Sequence, residues 1–202
     1  FVKGPAGFML ASGEPSGFYN VVTKKPTGIT KSEVGMTVGS FGTYRGTLDF
    51  DGLLSKDGKI QYRLNLMGQL KGTQRSFEYN NRVSIAPVLK FQINPNTSLT
   101  AEYTYQGVAM SPIGSNYIFS PNKLGSLPAD FTSLEANMAP TEIKDQSIFV
   151  TFSHSINKNW KLTGQLAYLN FNQIGQSLWP SGFKGHTMLR AASHWDILGQ
   201  TR

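Results

Sequence analysis

The chain has 202 residues, and its 21 glycines, 12% aromatic residues and only 15% charged residues indicate an all-β protein with many turns, since average soluble domains are about 25% charged. It has no cysteine, which excludes disulfides and thiol chemistry. The formal net charge of +7 comes from basic residues dispersed along the chain, so nucleic acid is not an expected partner.

The segment that ends at Pro26 is rich in glycine and proline and finishes in a short apolar strand with a basic cap. Glycine allows tight turns and close backbone approach, so this composition suits a compact segment threaded through a confined space. No Gly-Lys-Ser/Thr follows it, so it is not a phosphate-binding loop. The chain opens at Phe1 without an initiator methionine, and we expect it to be part of a longer protein.

After Pro26 the apolar and polar residues alternate, which predicts strands with one apolar and one polar face. The predicted strands cover residues 32–40, 43–52, 59–71, 82–93, 98–106, 146–155 and 160–171, with a last one near 186–199.

The predicted connections alternate in length. Residues 55–59, 94–97 and 157–159 are predicted as tight hairpin turns. Residues 72–80, residues 110–141 and the segment after Asn172 are predicted as longer links. Short turns at one end and long loops at the other are typical of outer-membrane barrels, whereas soluble sandwiches place loops of mixed length at both ends.

The polar face also fits a barrel, because its side chains suit a wet lumen; they include Arg63, Asn65, Gln69, Lys90 and Glu102. No apolar run approaches the ~20 residues of a transmembrane helix. Barrel strands need only ~10 residues with one apolar face, so a transmembrane barrel is not excluded. A soluble β-sheet with one solvated face remains open at this point.

The opening segment contains the following residues in this order along the sequence: Lys3-Gly4-Pro5-Ala6, Gly13, Pro15-Ser16-Gly17, Asn20-Val21-Val22-Thr23 and Lys24-Lys25-Pro26. This string resembles the C-terminal end of the plug domain of TonB-dependent outer-membrane receptors, with Ser16-Gly17 where many members have two glycines. Residues 32–69 and 82–106 resemble the first barrel strands of the siderophore-receptor branch, near the ferrichrome receptors, and "LPADF" at 127–131 resembles a loop feature of that branch.

The resemblance implies an all-β fold. The expected architecture is a partial transmembrane antiparallel β-barrel, with seven or eight strands of the ~22 that surround a plugged lumen. It is preceded by the C-terminal end of a plug domain. The implied boundaries are residues 1–28 for the plug end and 29–202 for the N-terminal part of the barrel. The implied location is the bacterial outer membrane.

The resemblance also implies active import of ferric siderophores, driven through the TonB energy-coupling complex. The TonB-contact motif of the family is not in this sequence. Outer-membrane lipid is the other implied partner, and no cofactor is expected. An enzyme is not expected, because no nucleophile elbow or paired-carboxylate motif stands out.

Site residues follow from the same resemblance. The plug-motif residues are assigned structural roles: Lys3, Gly4, Pro5, Gly13, Gly17, Asn20, Lys24 and Pro26. Lys3, Lys24 and Lys25 either contact acidic groups on the inner barrel wall or carry solvated charge. Tyr117 and Phe119, on a loop expected to be extracellular, and Trp179 are candidate ligand contacts, although loop aromatics also pack loops together. His154, His186 and His194 are not at metal-ligand spacing, so no metal site is expected.

Two other architectures compete with the receptor. A small complete outer-membrane barrel could act as an adhesin or anchor, but it has no room for a plug. A soluble β-sandwich could bind carbohydrate. Within the receptor class, cobalamin, haem or an oligosaccharide remain alternative ligands.

Overall fold

The computed structural model describes residues 22–114, 123, 125–185 and 187–201. The strands among these residues form one sheet. They are β1 Lys31–Gly39, β2 Thr43–Leu53, β3 Ile60–Leu70, β4 Asn80–Asn94, β5 Thr97–Met110, β6 Ile113–Gly114, β7 Thr141–Ser155, β8 Lys161–Lys184 and β9 Thr187–Thr201. In the described part of the chain, no helix has the length and apolar character needed to cross a membrane.

The long strands pair antiparallel with their neighbours in the order β1-β2-β3-β4-β5-β7-β8-β9, and the short β6 pairs parallel with β8. The predicted all-β sheet and its eight long strands are therefore confirmed. Among the described residues, no pairing joins β1 to β9, so the sheet is an open arc with two free edges.

The prediction of a long link after Asn172 is wrong, because β8 continues to Lys184 and pairs with β9 along this length. The sequence hides this strand because Pro180 and Gly182 interrupt the alternation. The register shifts between these two residues, where a bulge absorbs a proline that cannot donate to the ladder. The hairpin then turns at Gly185, whose φ is 60°.

The connections distinguish two ends of the sheet. One end, called here the turn end, holds the short connections 54–59, 95–96 and 156–160. The opposite end, called the loop end, holds the strand ends that are joined by the long connections 71–79 and 111–140 and by the short turns 40–42 and 185–186. The predicted tight turns are confirmed, and both long connections join strand ends at the loop end.

The 54–59 turn is organised by Asp57. Gly58 has a φ of 70°, and Asp57 accepts the backbone N–H of Lys59 at 3.2 Å. Two hydrogen bonds to the Asp57 carboxyl hold its pKa below its usual value. The one from the Ser55 hydroxyl has the larger effect, and the one from the Lys59 backbone N–H has the smaller. The conformation of this turn is therefore stabilised by hydrogen bonds among its own residues.

Burial in this sheet is the reverse of that in a soluble domain. The apolar face carries exposed side chains, including Ile148 at 43% and Leu166 at 75% exposure. The polar face carries buried carboxylates, including Asp51 at 4% and Glu102 at 5%. An apolar outside and a polar inside is the arrangement of a wall between lipid and an aqueous lumen.

Candidate functional site

A cluster of charged side chains lies on the polar face where the chain enters the sheet. We call it the junction cluster: Asp49 and Asp51 of β2, Arg63 of β3, Glu102 of β5, and Lys24 and Lys25 of residues 22–30. Residues 22–30, named here the entry segment, lead directly into β1 at Lys31. The period of two places Asp49 and Asp51 on one face of β2.

Strand register brings the remaining members together. Arg63 pairs with both Asp51 and Val88, and Val88 pairs in turn with Glu102. Arg63 and Glu102 therefore flank Val88 in one row that crosses three strands. Val88 is only 4% exposed, so this row is one of the most enclosed parts of the face.

Asp49 has two cationic partners. Arg63 donates to it twice, from Nε at 2.9 Å and from Nη2 at 2.8 Å. Lys24 Nζ donates to Oδ2 at 2.7 Å. Bidentate arginine–carboxylate pairs fix geometry as well as charge, so Asp49 holds both a neighbouring strand and the entry segment.

Asp51 binds the entry segment through Thr27. The Thr27 backbone N–H donates to both carboxylate oxygens at 3.2 Å, and its hydroxyl donates at 2.7 Å. Arg63 Nη1 lies 3.7 Å from Asp51. The carboxylate thus receives neutral donors from the entry segment and a cation from β3.

Glu102 is the third acidic anchor. It accepts hydrogen bonds from the Thr23 hydroxyl and from Lys25 Nζ. Arg63 Nη1 also donates to the Lys25 carbonyl at 3.0 Å. The entry segment is therefore tied to β2, β3 and β5 at successive residues.

The charges in the junction cluster balance. Three carboxylates face three cations, and the carboxylate side chains are only 5–11% exposed. Removing a cation from this cluster leaves an enclosed carboxylate without its partner. This arrangement has the chemistry of a fastening between two parts of a protein and supplies no nucleophile or general acid–base pair.

Of the two alternatives for the lysines, the structure has Lys24 and Lys25 in contact with acidic side chains. Pro26 is buried beside them. Apart from Trp179, the remaining predicted site residues lie outside the described residues: Lys3, Gly4, Pro5, Gly13, Gly17, Asn20, Tyr117 and Phe119. Sequence alternation put the acidic groups on the right face but gave no sign of which strand each lysine meets.

Trp179 belongs to β8 and not to a loop, which corrects the predicted setting of this residue. It pairs with Ala191 near the loop end, is 42% exposed, and donates its Nε1–H to the Ser177 hydroxyl at 2.8 Å. Strand pairing therefore positions its backbone, and the hydrogen bond to Ser177 orients its indole.

The loop end contains contacts that the sequence did not predict. Arg190 of β9 binds the Ser133 carbonyl and the Glu135 carboxylate. Thr132 donates to Glu78 at 3.4 Å. The described part of the 111–140 connection is thus tied both to β9 and to the 71–79 connection, over sequence separations that no local pattern reveals.

The described histidines do not form a metal site. His154 Nδ1 shares a 2.9 Å hydrogen bond with the Thr97 hydroxyl, and His194 lies on β9. His186 lies outside the described residues. No group of three or more potential metal ligands is found where the structure describes the chain.

No family model matches the chain. It is 31% identical over 162 residues to the metal-pseudopaline receptor CntO of Pseudomonas aeruginosa, a match that covers 80% of this chain and 23% of that protein. It is 27% identical over 166 residues to the ferripyoverdine receptor of the same species, covering 79% and 20%. It is 24% identical over 176 residues to the ferrichrome outer membrane transporter/phage receptor of Escherichia coli, covering 83% and 23%. The chain spans less than a quarter of the length of these relatives.

Solved receptors share the fold. The ferric-catecholate import receptor Fiu of E. coli matches with a TM-score of 0.83 at 20% identity, over 99% of this chain and 31% of that chain. The ferripyoverdine receptor of the P. aeruginosa outer membrane matches with a TM-score of 0.71 at 23% identity, over 89% and 25%.

The open sheet is thus one part of an outer-membrane receptor barrel, and the predicted partial-barrel fold is confirmed. Its homologues include receptors for siderophores and metals and a probable TonB-dependent receptor of Bordetella pertussis. The chain therefore belongs to the TonB-dependent outer-membrane receptors, as its opening motif predicted.

Proposed function

We propose that this chain is part of an outer-membrane receptor that imports ferric siderophores. The observation that carries the proposal is its similarity, over about four fifths of its length, to receptors named for pyoverdine and ferrichrome. In this proposal the TonB complex supplies the energy for import. These relatives are receptors and transporters, and the described site offers no catalytic arrangement.

The proposed boundaries are the plug end at residues 1–28 and the barrel part at residues 29–202. The contacts of the entry segment support this division. Thr23, Lys24 and Thr27 touch the inner face of the sheet before β1 begins. A segment that lies against the polar face and then becomes its first strand is what a plug-to-barrel passage requires.

The loop end is the proposed ligand-entry side, with Tyr117, Phe119 and Trp179 as proposed contacts. Trp179 supports this role because its half-exposed indole lies near the loop end of the longest strand. The hydrogen bonds that Arg190 and Glu78 form with residues 132–135 hold the described part of the 111–140 connection in place.

Outer-membrane lipid is the proposed partner of the apolar face. A cavity of about 680 Å³ near its loop end includes three glycines, Gly46, Gly68 and Gly107. Gly46 pairs with Gly68, and Val83 lies between Gly68 and Gly107 in the register. Because glycine has no side chain, these three neighbouring positions leave an apolar depression on the outer face, which lipid tails would fill.

A second candidate ligand is a metal chelate that does not contain iron. One relative is named a metal-pseudopaline receptor without reference to iron. The two candidates share the barrel, the junction cluster and the entry side, and they differ only in the cargo.

Uptake by the intact receptor tests the proposal. A Gram-negative host that lacks its own siderophore receptors is made to express it, with and without a functional TonB. We expect TonB-dependent accumulation of radioactive iron supplied as ferric hydroxamate or ferric catecholate. Accumulation of nickel or zinc chelates alone would select the second candidate, and no TonB-dependent uptake of any chelate would overturn both.

A further inference from the structure

Trp160, in the 156–160 turn between β7 and β8, is the most exposed of the three tryptophans, at 70%. None of the hydrogen bonds between described residues involves its indole N–H, whereas the N–H of Trp179 donates to the Ser177 hydroxyl. A large apolar ring with an unused donor is typical of side chains that collect at membrane–water interfaces.

The backbone of this turn is fixed by hydrogen bonds among its own residues. The Asn157 side-chain oxygen accepts the backbone N–H groups of Asn159 at 2.9 Å and of Trp160 at 3.0 Å. The Trp160 carbonyl accepts the Ile156 N–H at 3.0 Å. Asparagine closes the turn in this way, and Lys158 is kept at its tip, with its Cα at most about 7 Å from that of Trp160.

Apolar side chains accompany the indole on the outer face of the sheet. Leu162 pairs with His154, and the period of two along β7 puts His154 on the same face as Ile148. Trp160, two positions before Leu162, therefore belongs to the apolar face as well. Ile156 and Leu162 are 60% and 56% exposed, so this face continues to the very end of the hairpin.

The cations of the β7–β8 hairpin are not neutralised. Lys158 and Lys161 take part in none of the ion pairs within the described residues, and residues 150–170 contain no acidic side chain. The two lysines differ in position. Lys161 pairs with Ser155, which puts it on the polar face, whereas Lys158 is at the tip beside Trp160.

The position of the hairpin relative to the membrane gives these features a partner. Short turns of outer-membrane barrels face the periplasm, so the turn end of this sheet lies at the phospholipid leaflet. A phospholipid has a phosphate for Lys158 and acyl chains for Ile156 and Leu162. A zwitterionic headgroup brings its own ammonium to the phosphate and competes with the lysine, whereas an anionic headgroup does not.

We propose that the β7–β8 hairpin is a docking site for an anionic phospholipid of the periplasmic leaflet. Lys158 binds the headgroup phosphate, the Trp160 N–H donates to an ester oxygen, and Ile156 and Leu162 contact the acyl chains. The site is independent of the imported cargo, because it lies at the end of the sheet opposite to the proposed ligand-entry side.

The test uses the intact receptor in vesicles of phosphatidylethanolamine with a smaller share of phosphatidylglycerol. One lipid or the other carries bromine on its acyl chains, which quenches tryptophan fluorescence only at short range. Subtracting the signal of Trp160→Phe in the same background isolates Trp160. We expect brominated phosphatidylglycerol to quench Trp160 in excess of its share of the vesicle lipid, and high salt to reduce this excess.

A matched pair of lysine variants locates the site. Lys158→Gln should lower the excess of phosphatidylglycerol at Trp160 about fivefold, which corresponds to about 1 kcal/mol for one lysine near an anionic surface. Lys161→Gln removes the same charge on the polar face and should leave the excess unchanged. Both lysines are exposed, and circular dichroism verifies that the two variants unfold at the temperature of the unaltered receptor.

Three results would overturn the proposal. If neither brominated lipid quenches Trp160, the hairpin lies outside the membrane. If phosphatidylglycerol quenches only in proportion to its share, the hairpin does not select it. If Lys161→Gln acts as strongly as Lys158→Gln, the excess comes from the overall charge of the turn end and not from a site beside Trp160.

Discussion

Arg63 donates two hydrogen bonds to Asp49, from Nε at 2.9 Å and from Nη2 at 2.8 Å, and its third nitrogen donates to the Lys25 carbonyl at 3.0 Å. One side chain of β3 therefore joins β2 to the entry segment. Asp49 therefore supports two contacts of the entry segment. It binds Lys24 directly, and it holds Arg63, which donates to the Lys25 carbonyl.

Asp49→Asn should destabilise the intact receptor. The change removes the charge that holds Arg63 and Lys24, and hydrogen bonds to charged groups contribute about 1.5–3 kcal/mol each in protein interiors. We expect a lower unfolding temperature in detergent, followed by the loss of heat-resistant β-structure in circular dichroism. Asp130→Asn, at an exposed aspartate that forms no ion pair within the described residues, is the control and should leave the temperature unchanged. Equal temperatures for the two variants would remove the structural role of Asp49.

Glu102→Gln should release the entry segment without unfolding the barrel. It removes the acceptor charge for Lys25 and weakens the Thr23 contact. Trypsin cuts after Lys24 but poorly after Lys25, which precedes proline, so we expect faster cleavage at one position. Asp145→Asn is the control, because Asp145 pairs with Gln106 on the same face but forms no ion pair with described residues. Cleavage at the same rate in both variants would contradict the anchoring role.

Gly175→Ala should destabilise the sheet near the loop end. A Cβ at this position would lie 2.7 Å from Thr141 Oγ1 and 2.8 Å from Trp195 Cζ2, and Thr141 is fully buried. Overpacking of this kind costs about 1–3 kcal/mol. Gly164→Ala on the same strand meets nothing within 4 Å and serves as the control. Thermal unfolding of both variants checks the prediction, which fails if Gly164→Ala is the more damaging change.

The sequence predicted the two faces well because a period of two is a local property. It assigned Arg63 and Glu102 to one face but could not place them in one row. Row membership depends on the lengths of the turns and on irregularities such as the register shift between Gln92 and Asn94. Which carboxylate each lysine meets is therefore a property of the assembled sheet.

Two other features could not be predicted from local sequence patterns, each for its own reason. Pro180 interrupts the alternation of β8, so a paired strand looked like a loop that carries Trp179. The contact between Arg190 and Glu135 joins residues 55 positions apart, a separation that no local pattern reveals.

Ile148→Arg should be far more damaging than Ser147→Arg, although the two residues are adjacent. Ile148 lies on the apolar face between Tyr103 and Tyr168, whereas Ser147 lies on the polar face. An arginine on the lipid side of a barrel costs about 2–4 kcal/mol at the bilayer midplane and less near the interfaces, while an arginine in the lumen keeps its hydration. We expect Ile148→Arg to lower the unfolding free energy of the intact receptor in lipid vesicles, with Ile148→Leu as a neutral control. If Ser147→Arg were the more destabilising change, the assignment of the two faces to lipid and lumen would have to be reversed.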